Sequence, residues 1–134
     1  MMRSAAWLIT TACAAQALGY LSAVNEHAGE AQWSAHAQFH WVEALVWIAA
    51  LNLAMIVLAW GPLQRAERWS LRLVTALFAA AHGAHWLAKL AVPDDQRFDP
   101  LVYTVGMLAM ALLGAAGLAL AWWAASARSA LARV

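Results

Sequence analysis

Leu101-Val-Tyr-Thr-Val-Gly-Met-Leu-Ala-Met-Ala-Leu-Leu-Gly-Ala-Ala-Gly-Leu-Ala-Leu-Ala-Trp-Trp-Ala-Ala-Ser-Ala127 runs without a single charged side chain. A helix that crosses a bilayer needs about 20 consecutive apolar residues, so this stretch is long enough to span one. Three earlier stretches repeat the pattern. Ala5 to Val24 is uncharged, Ala44 to Trp60 is uncharged with Glu43 just before it, and Leu73 to Ala88 continues past Lys89 to Val92. The chain has 134 residues, 65% of them hydrophobic and 11% charged. Its mean hydropathy is +0.63. A soluble domain carries about 25% charge. The pattern therefore predicts an all-α integral membrane protein: one domain over 1–134, an up-down four-helix bundle with helices at about 5–24, 35–60, 70–92 and 100–126.

Local signals mark the ends. Ser4, Ser34 and Ser70 are candidate N-caps, and Asp99-Pro100 pairs a cap residue with proline at a first helical position. Gly61-Pro62 and Pro93 are stop signals. Tryptophans favour headgroup level. Trp7, Trp60, Trp69, Trp122 and Trp123 are expected at one interface, and Trp33, Trp41 and Trp86 toward the other. The first apolar stretch is long for a signal peptide after the weak Met1-Met2-Arg3 start, so it is expected to stay as a helix. The glycines Gly106, Gly114 and Gly117 predict close helix packing.

Charge sets the expected orientation. Arg3, Arg65, Arg68, Arg72, Arg128 and Arg133 fall on one side, and only Lys89 and Arg97 on the other. The positive-inside rule then puts both termini in the cytoplasm of a bacterial inner membrane. The net charge of +1 gives no basic footprint for nucleic acid. The lone Cys13 excludes an internal disulfide and a CxxC motif. Neither GxGxxG nor a Walker sequence occurs, and the serines cluster at expected helix ends without a triad.

The ionisable groups fall in the half expected to face the periplasm. His36, His40, Glu43 and Trp47 stand at i, i+4, i+7 and i+11, one face of the second helix. His82, His85 and Lys89 share a face of the third. At 1.5 Å per residue, His40 and Glu43 lie roughly 8 and 12 Å below the outer helix end, and His85 and His82 roughly 10 and 15 Å below theirs. Charge at that depth is costly and usually turned inward. The expected site is thus a cluster of His40, Glu43, His82 and His85 as acid–base residues. Asn25, His27, Trp33, Phe39, Trp47, Tyr20 and Tyr103 are candidate binding residues, with Asn25 and His27 placed on the first outer connection to lid the site. Gln16 can close the ring. Asn52, opposite Glu43, reads as interhelical glue.

Asn25-Glu26-His27 followed by Trp33-Ser34-Ala35-His36-Ala37-Gln38-Phe39-His40 resembles the N-x-H…W-x-x-H-A-x-F-H motif of a family of small four-helix membrane proteins of unknown function. The resemblance covers mainly residues 25–43 and the four-span plan. It implies that Asn25, His27, Trp33, His36, Phe39 and His40 act together. A looser likeness, in helix number and an intramembrane His and Glu, is to the emopamil-binding-like (EXPERA) membrane proteins, which include sterol isomerases.

Three functional readings follow. One is acid–base chemistry on, or binding of, a lipophilic small molecule, of isomerase or hydrolase type. Another is a zinc, copper or haem site drawn from His36, His40, Glu43, His82 and His85, with Gly83 making space for a haem. The third is a non-catalytic partner subunit or assembly factor. The expected partners are the lipid bilayer and the lipophilic molecule, and a homo-oligomer is compatible with each reading.

Overall fold

The computed structural model describes residues 1–27, 34–91 and 101–131. Among the described residues the chain is all-α, without a strand: α1 (Met2–His27), α2 (Ala35–Trp60), a 3-10 turn (Pro62–Arg65), α3 (Arg68–Ala91) and α4 (Leu101–Leu131). Of these, α2 and α4 are long and apolar enough to cross a membrane. Their 26 and 31 residues extend about 39 and 46 Å at 1.5 Å per residue. Arg3 and Gln16 on α1, and Arg68, Arg72, His82, His85 and Lys89 on α3, lower the hydropathy of the other two.

Capping chemistry explains the boundaries around α2. Ser34 has extended backbone and accepts from the Ala37 N–H at 3.2 Å, as an N-cap does. At the far end the Gly61 N–H donates to the Val57 carbonyl at 3.0 Å. Pro62, which has no N–H to offer, then opens the 3-10 turn. Ala66 closes that turn at φ 59, the left-handed region. Two expected caps are corrected. Ser4 lies inside α1, and Ser70 lies inside α3, because Glu67 stands at the α3 entrance. The Glu67 carbonyl accepts from the backbone N–H groups of Ser70 and Leu71 and from the Ser70 hydroxyl. Asp99-Pro100 and Pro93 lie outside the described residues.

Helix α1 packs against α2 and α4, α2 against α3, and α3 against α4. Specific contacts fix the levels. Trp60 Nε1 donates to Thr10 Oγ1 at 2.9 Å, and the Trp7 and Trp60 rings meet edge to face. Trp41 meets Tyr20 toward the other end of the pair. Trp122 Nε1 donates to Thr75 Oγ1 at 3.2 Å, and Tyr103 meets His85. Gln16 Nε2 donates to the Ala81 carbonyl at 3.2 Å, tying α1 to α3 across a sequence separation of 65.

Two of the three expected small residues make close approaches. A Cβ at Gly117 would meet Leu8 and Ile9 at 3.0 Å and the Ala5 carbonyl at 3.1 Å, and one at Gly114 would run into the Phe78 ring. Gly106 stands in open space.

Burial is uneven along the bundle. The buried residues of α2 are Asn52, Met55 and Ala59, and those of α3 end at Ala81 and His82. The packed end is also where the arginines gather. Gln64 Nε2 donates to the carbonyls of Ala59 at 2.7 Å and Met2 at 3.4 Å, while Arg128 donates to the Gln64 carbonyl at 3.3 Å. At the same end Glu67 takes hydrogen bonds from Arg65 and Trp69. The Arg65 bond holds the Glu67 carboxyl below the ordinary glutamate range. Partial desolvation opposes this, and the Trp69 bond assists.

A lowered carboxyl pKa stabilises the fold above the ordinary glutamate range, and that contribution is lost as pH falls through the lowered value. Thermal midpoints measured from about pH 6 down to about pH 3 will therefore fall for the wild type. In Glu67→Gln the fall will be shallower. Gly114→Val, driven into Phe78, will cost about 1–3 kcal/mol by overpacking. It will lower the melting temperature in detergent, whereas Gly106→Ala, in open space within α4, will stabilise by roughly 0.5–1 kcal/mol and raise it.

Candidate functional site

The ionisable and aromatic residues sort into three groups. The first lies on the exposed side of α2. The His36 and His40 rings sit perpendicular with centroids 4.4 Å apart, and Phe39 meets His40 edge-on at 5.6 Å. His40 Nδ1 and Glu43 Oε2 are 3.0 Å apart, with the two side chains 55% and 47% exposed. Trp47 and Phe39 are exposed as well. These contacts stay within α2. The stripe expected to point inward points outward instead, and the inward face of α2 is the opposite one. Trp41, Leu45, Ile48, Asn52, Met55 and Ala59 are its half-buried and buried residues. Asn52 follows Glu43 by nine positions, half a revolution at 100° per residue.

The second group is interior and polar. Gln16 is 0% exposed, Asn52 3% and His82 2%, one residue from each of α1, α2 and α3. Gln16 reaches the Ala81 carbonyl, next to His82. Asn52 stands eight residues before Trp60, and Gln16 six after Thr10, the residue that Trp60 bonds. At 1.5 Å per residue their levels agree within about 3 Å. Phe78 lies against the His82 ring with centroids 4.4 Å apart and planes tilted by 30°. Both His82 nitrogens, both Asn52 amide atoms and Gln16 Oε1 have no protein hydrogen-bond partner.

The third group is two ring pairs, one between α1 and α2 and one between α3 and α4. Tyr20 and Trp41 meet at 6.2 Å, and His85 and Tyr103 at 5.3 Å. The separation of 65 that matches Gln16 to Ala81 also matches Tyr20 to His85. All four are half-buried. Beside them Trp86 meets His85 at 5.0 Å. The Lys89 ammonium lies 5.4 Å over the Trp86 ring and donates to Thr104 Oγ1 at 2.7 Å, which anchors it to α4. His82 lies one helical turn from His85, on the packed side of these pairs.

The structure thus brings His85 to Tyr103 and Tyr20 to Trp41, with His82 a turn from His85. It places His36, Phe39, His40, Glu43 and Trp47 on the outside of α2. No group of three or more His, Cys, Asp or Glu side chains close enough to hold a metal ion occurs among the described residues. The expected ligand set is divided because Glu43 and His40 face away from the side on which α2 buries Asn52. Trp33 and the side chains of Asn25 and His27 lie outside the described residues. Sequence reasoning did not assign Trp41 to the site. Its signal was the heptad-like spacing of Trp41, Leu45, Ile48, Asn52, Met55 and Ala59.

Comparison with known proteins adds no assignment: no family model, no curated protein and no solved structure matches the chain.

Buried polar atoms without partners cost about 1–3 kcal/mol each. Asn52→Leu removes two of them at similar volume and will leave the thermal midpoint in detergent unchanged or raised. A clear drop would mean that the amide is bonded in solution.

Proposed function

We propose that the chain is an integral membrane protein, an up-down four-helix bundle with both termini in the cytoplasm, that binds a lipophilic small molecule and acts on it by acid–base chemistry. The supporting observation is the two ring pairs, Tyr20 with Trp41 and His85 with Tyr103, one ring from each helix and all half-buried, beyond the last buried residues of α2 and α3; the matched spacing of Tyr20 and His85 puts the pairs near one level. Apolar walls carrying a few polar groups are what a small-molecule site needs. Aromatic rings supply flat apolar surface, and the tyrosine hydroxyls and the imidazole supply orientation.

His85 is the group in these pairs suited to moving a proton. His82 forms the floor one turn below, and Phe78 covers one face of its ring. The His40–Glu43 pair is a second acid–base unit on the bilayer-facing side of α2. There it can meet a substrate that arrives through the lipid. This chemistry fits double-bond isomerisation or hydrolysis of a lipophilic compound. The resemblance of residues 25–43 to the small four-helix membrane family points the same way as far as the membrane plan goes.

The test is mass spectrometry of organic extracts from the purified, detergent-solubilised protein, with an absorption spectrum and metal analysis on the same sample. The expected result is one co-purifying lipophilic molecule in near-stoichiometric amount, reduced several-fold in Tyr103→Ala and Tyr20→Ala. In His85→Gln it will be retained but not converted. A Soret band, or stoichiometric zinc or copper lost in His36→Ala, would replace this reading with the metal or haem one.

A further inference from the structure

A separate cavity of about 140 Å³ opens at the arginine end of the bundle, lined by Arg68, Leu71, Arg72, Trp122, Ser126 and Ser129. From its chemistry we infer that it is a binding site for a phosphate-bearing anionic group, the headgroup of an acidic phospholipid. Arg68 and Arg72 stand at i and i+4 on the first two turns of α3, on one face. Arg65 is paired with Glu67, and Arg128 bonds the Gln64 carbonyl. Arg68 and Arg72 have neither an ion pair nor a hydrogen bond among the described residues. Two like charges at this spacing repel, and a bound anion reverses that cost.

Guanidinium groups present forked donors that match phosphate oxygens. Across the cavity, the Ser126 and Ser129 hydroxyls now donate to the carbonyls of Trp122 and Ala125 within α4. Each can rotate to donate to an anion instead. Trp122 is fixed by its bond to Thr75, and it lines the apolar side with Leu71. The volume of about 140 Å³ leaves room for a phosphate group. The exposed Trp69 and Trp123 are suited to headgroup level at this end. Acidic lipids attract basic clusters at the cytoplasmic leaflet.

The lipid as source rests on the membrane plan proposed above; recognition of phosphate does not. The test is native mass spectrometry of the full chain in neutral detergent with phosphatidylglycerol or phosphatidylcholine added. Wild type and Arg3→Gln will retain phosphatidylglycerol roughly tenfold better than phosphatidylcholine. The double variant Arg68→Gln/Arg72→Gln will retain the two equally. Should that variant fail to fold, Arg68→Lys/Arg72→Lys keeps the charge but not the fork and will show a reduced preference. Undiminished phosphatidylglycerol retention in the folded double variant overturns the site. Displacement by millimolar inorganic phosphate overturns the lipid assignment and gives the cavity to a soluble phosphate compound. Release of the chain from membranes by a carbonate wash overturns the membrane plan, and titration calorimetry with inorganic phosphate then decides the cavity.

Discussion

The close approach of α4 to α1 at Gly117 sets the rest of the molecule. With no Cβ at that position, Ala5, Leu8 and Ile9 come up against the α4 backbone. One turn away Gly114 lets the Phe78 ring lie against α4, and Phe78 in turn lies on His82. Next to His82, the Ala81 carbonyl takes the Gln16 amide, which closes the circuit back to α1. Between helices in a bilayer there is little hydrophobic driving force, so packing of this kind and interhelical hydrogen bonds carry the association. Three helices are thereby locked in register, and the levels of the rings beyond follow.

The two ends of the bundle are built differently. At the arginine end, buried alanines, Leu63, Leu71 and Val74 fill the interior, and Gln64 ties the start of α1 to the end of α4 through Arg128. Toward the other end the interior changes from aliphatic to polar at Gln16, Asn52 and His82, and then to aromatic at Tyr20, Trp41, His85 and Tyr103. Side chains are small and closely packed at the arginine end, and toward the other end the larger rings are only half-covered.

The outward His40–Glu43 pair is satisfied within a single helix. His40 Nδ1 and Glu43 Oε2 lie 3.0 Å apart, one helical turn from each other. Pairing within one helix satisfies Glu43 without turning it toward the interior.

The four helices were legible in the sequence because uncharged stretches of membrane length are a property of the chain alone. The two boundaries of α2 were legible too: the Ser34 cap and the Gly61-Pro62 stop act through local backbone chemistry. The grouping of arginines at one end and the close packing at Gly114 and Gly117 also follow from residue type. The inward face of α2 was not legible. That helix is apolar around most of its circumference, so the heptad-like spacing from Trp41 to Ala59 hardly stands out, and the ionisable stripe is the stronger directional cue. Which side turned in was decided by packing: α2 meets α1 and α3 through Trp41, Asn52, Met55 and Ala59, which carries Glu43 half a turn away. Sequence determined how many helices form and where they end. Only the tertiary contacts decided which polar residues share an interior, because that depends on the rotation of each helix about its own axis.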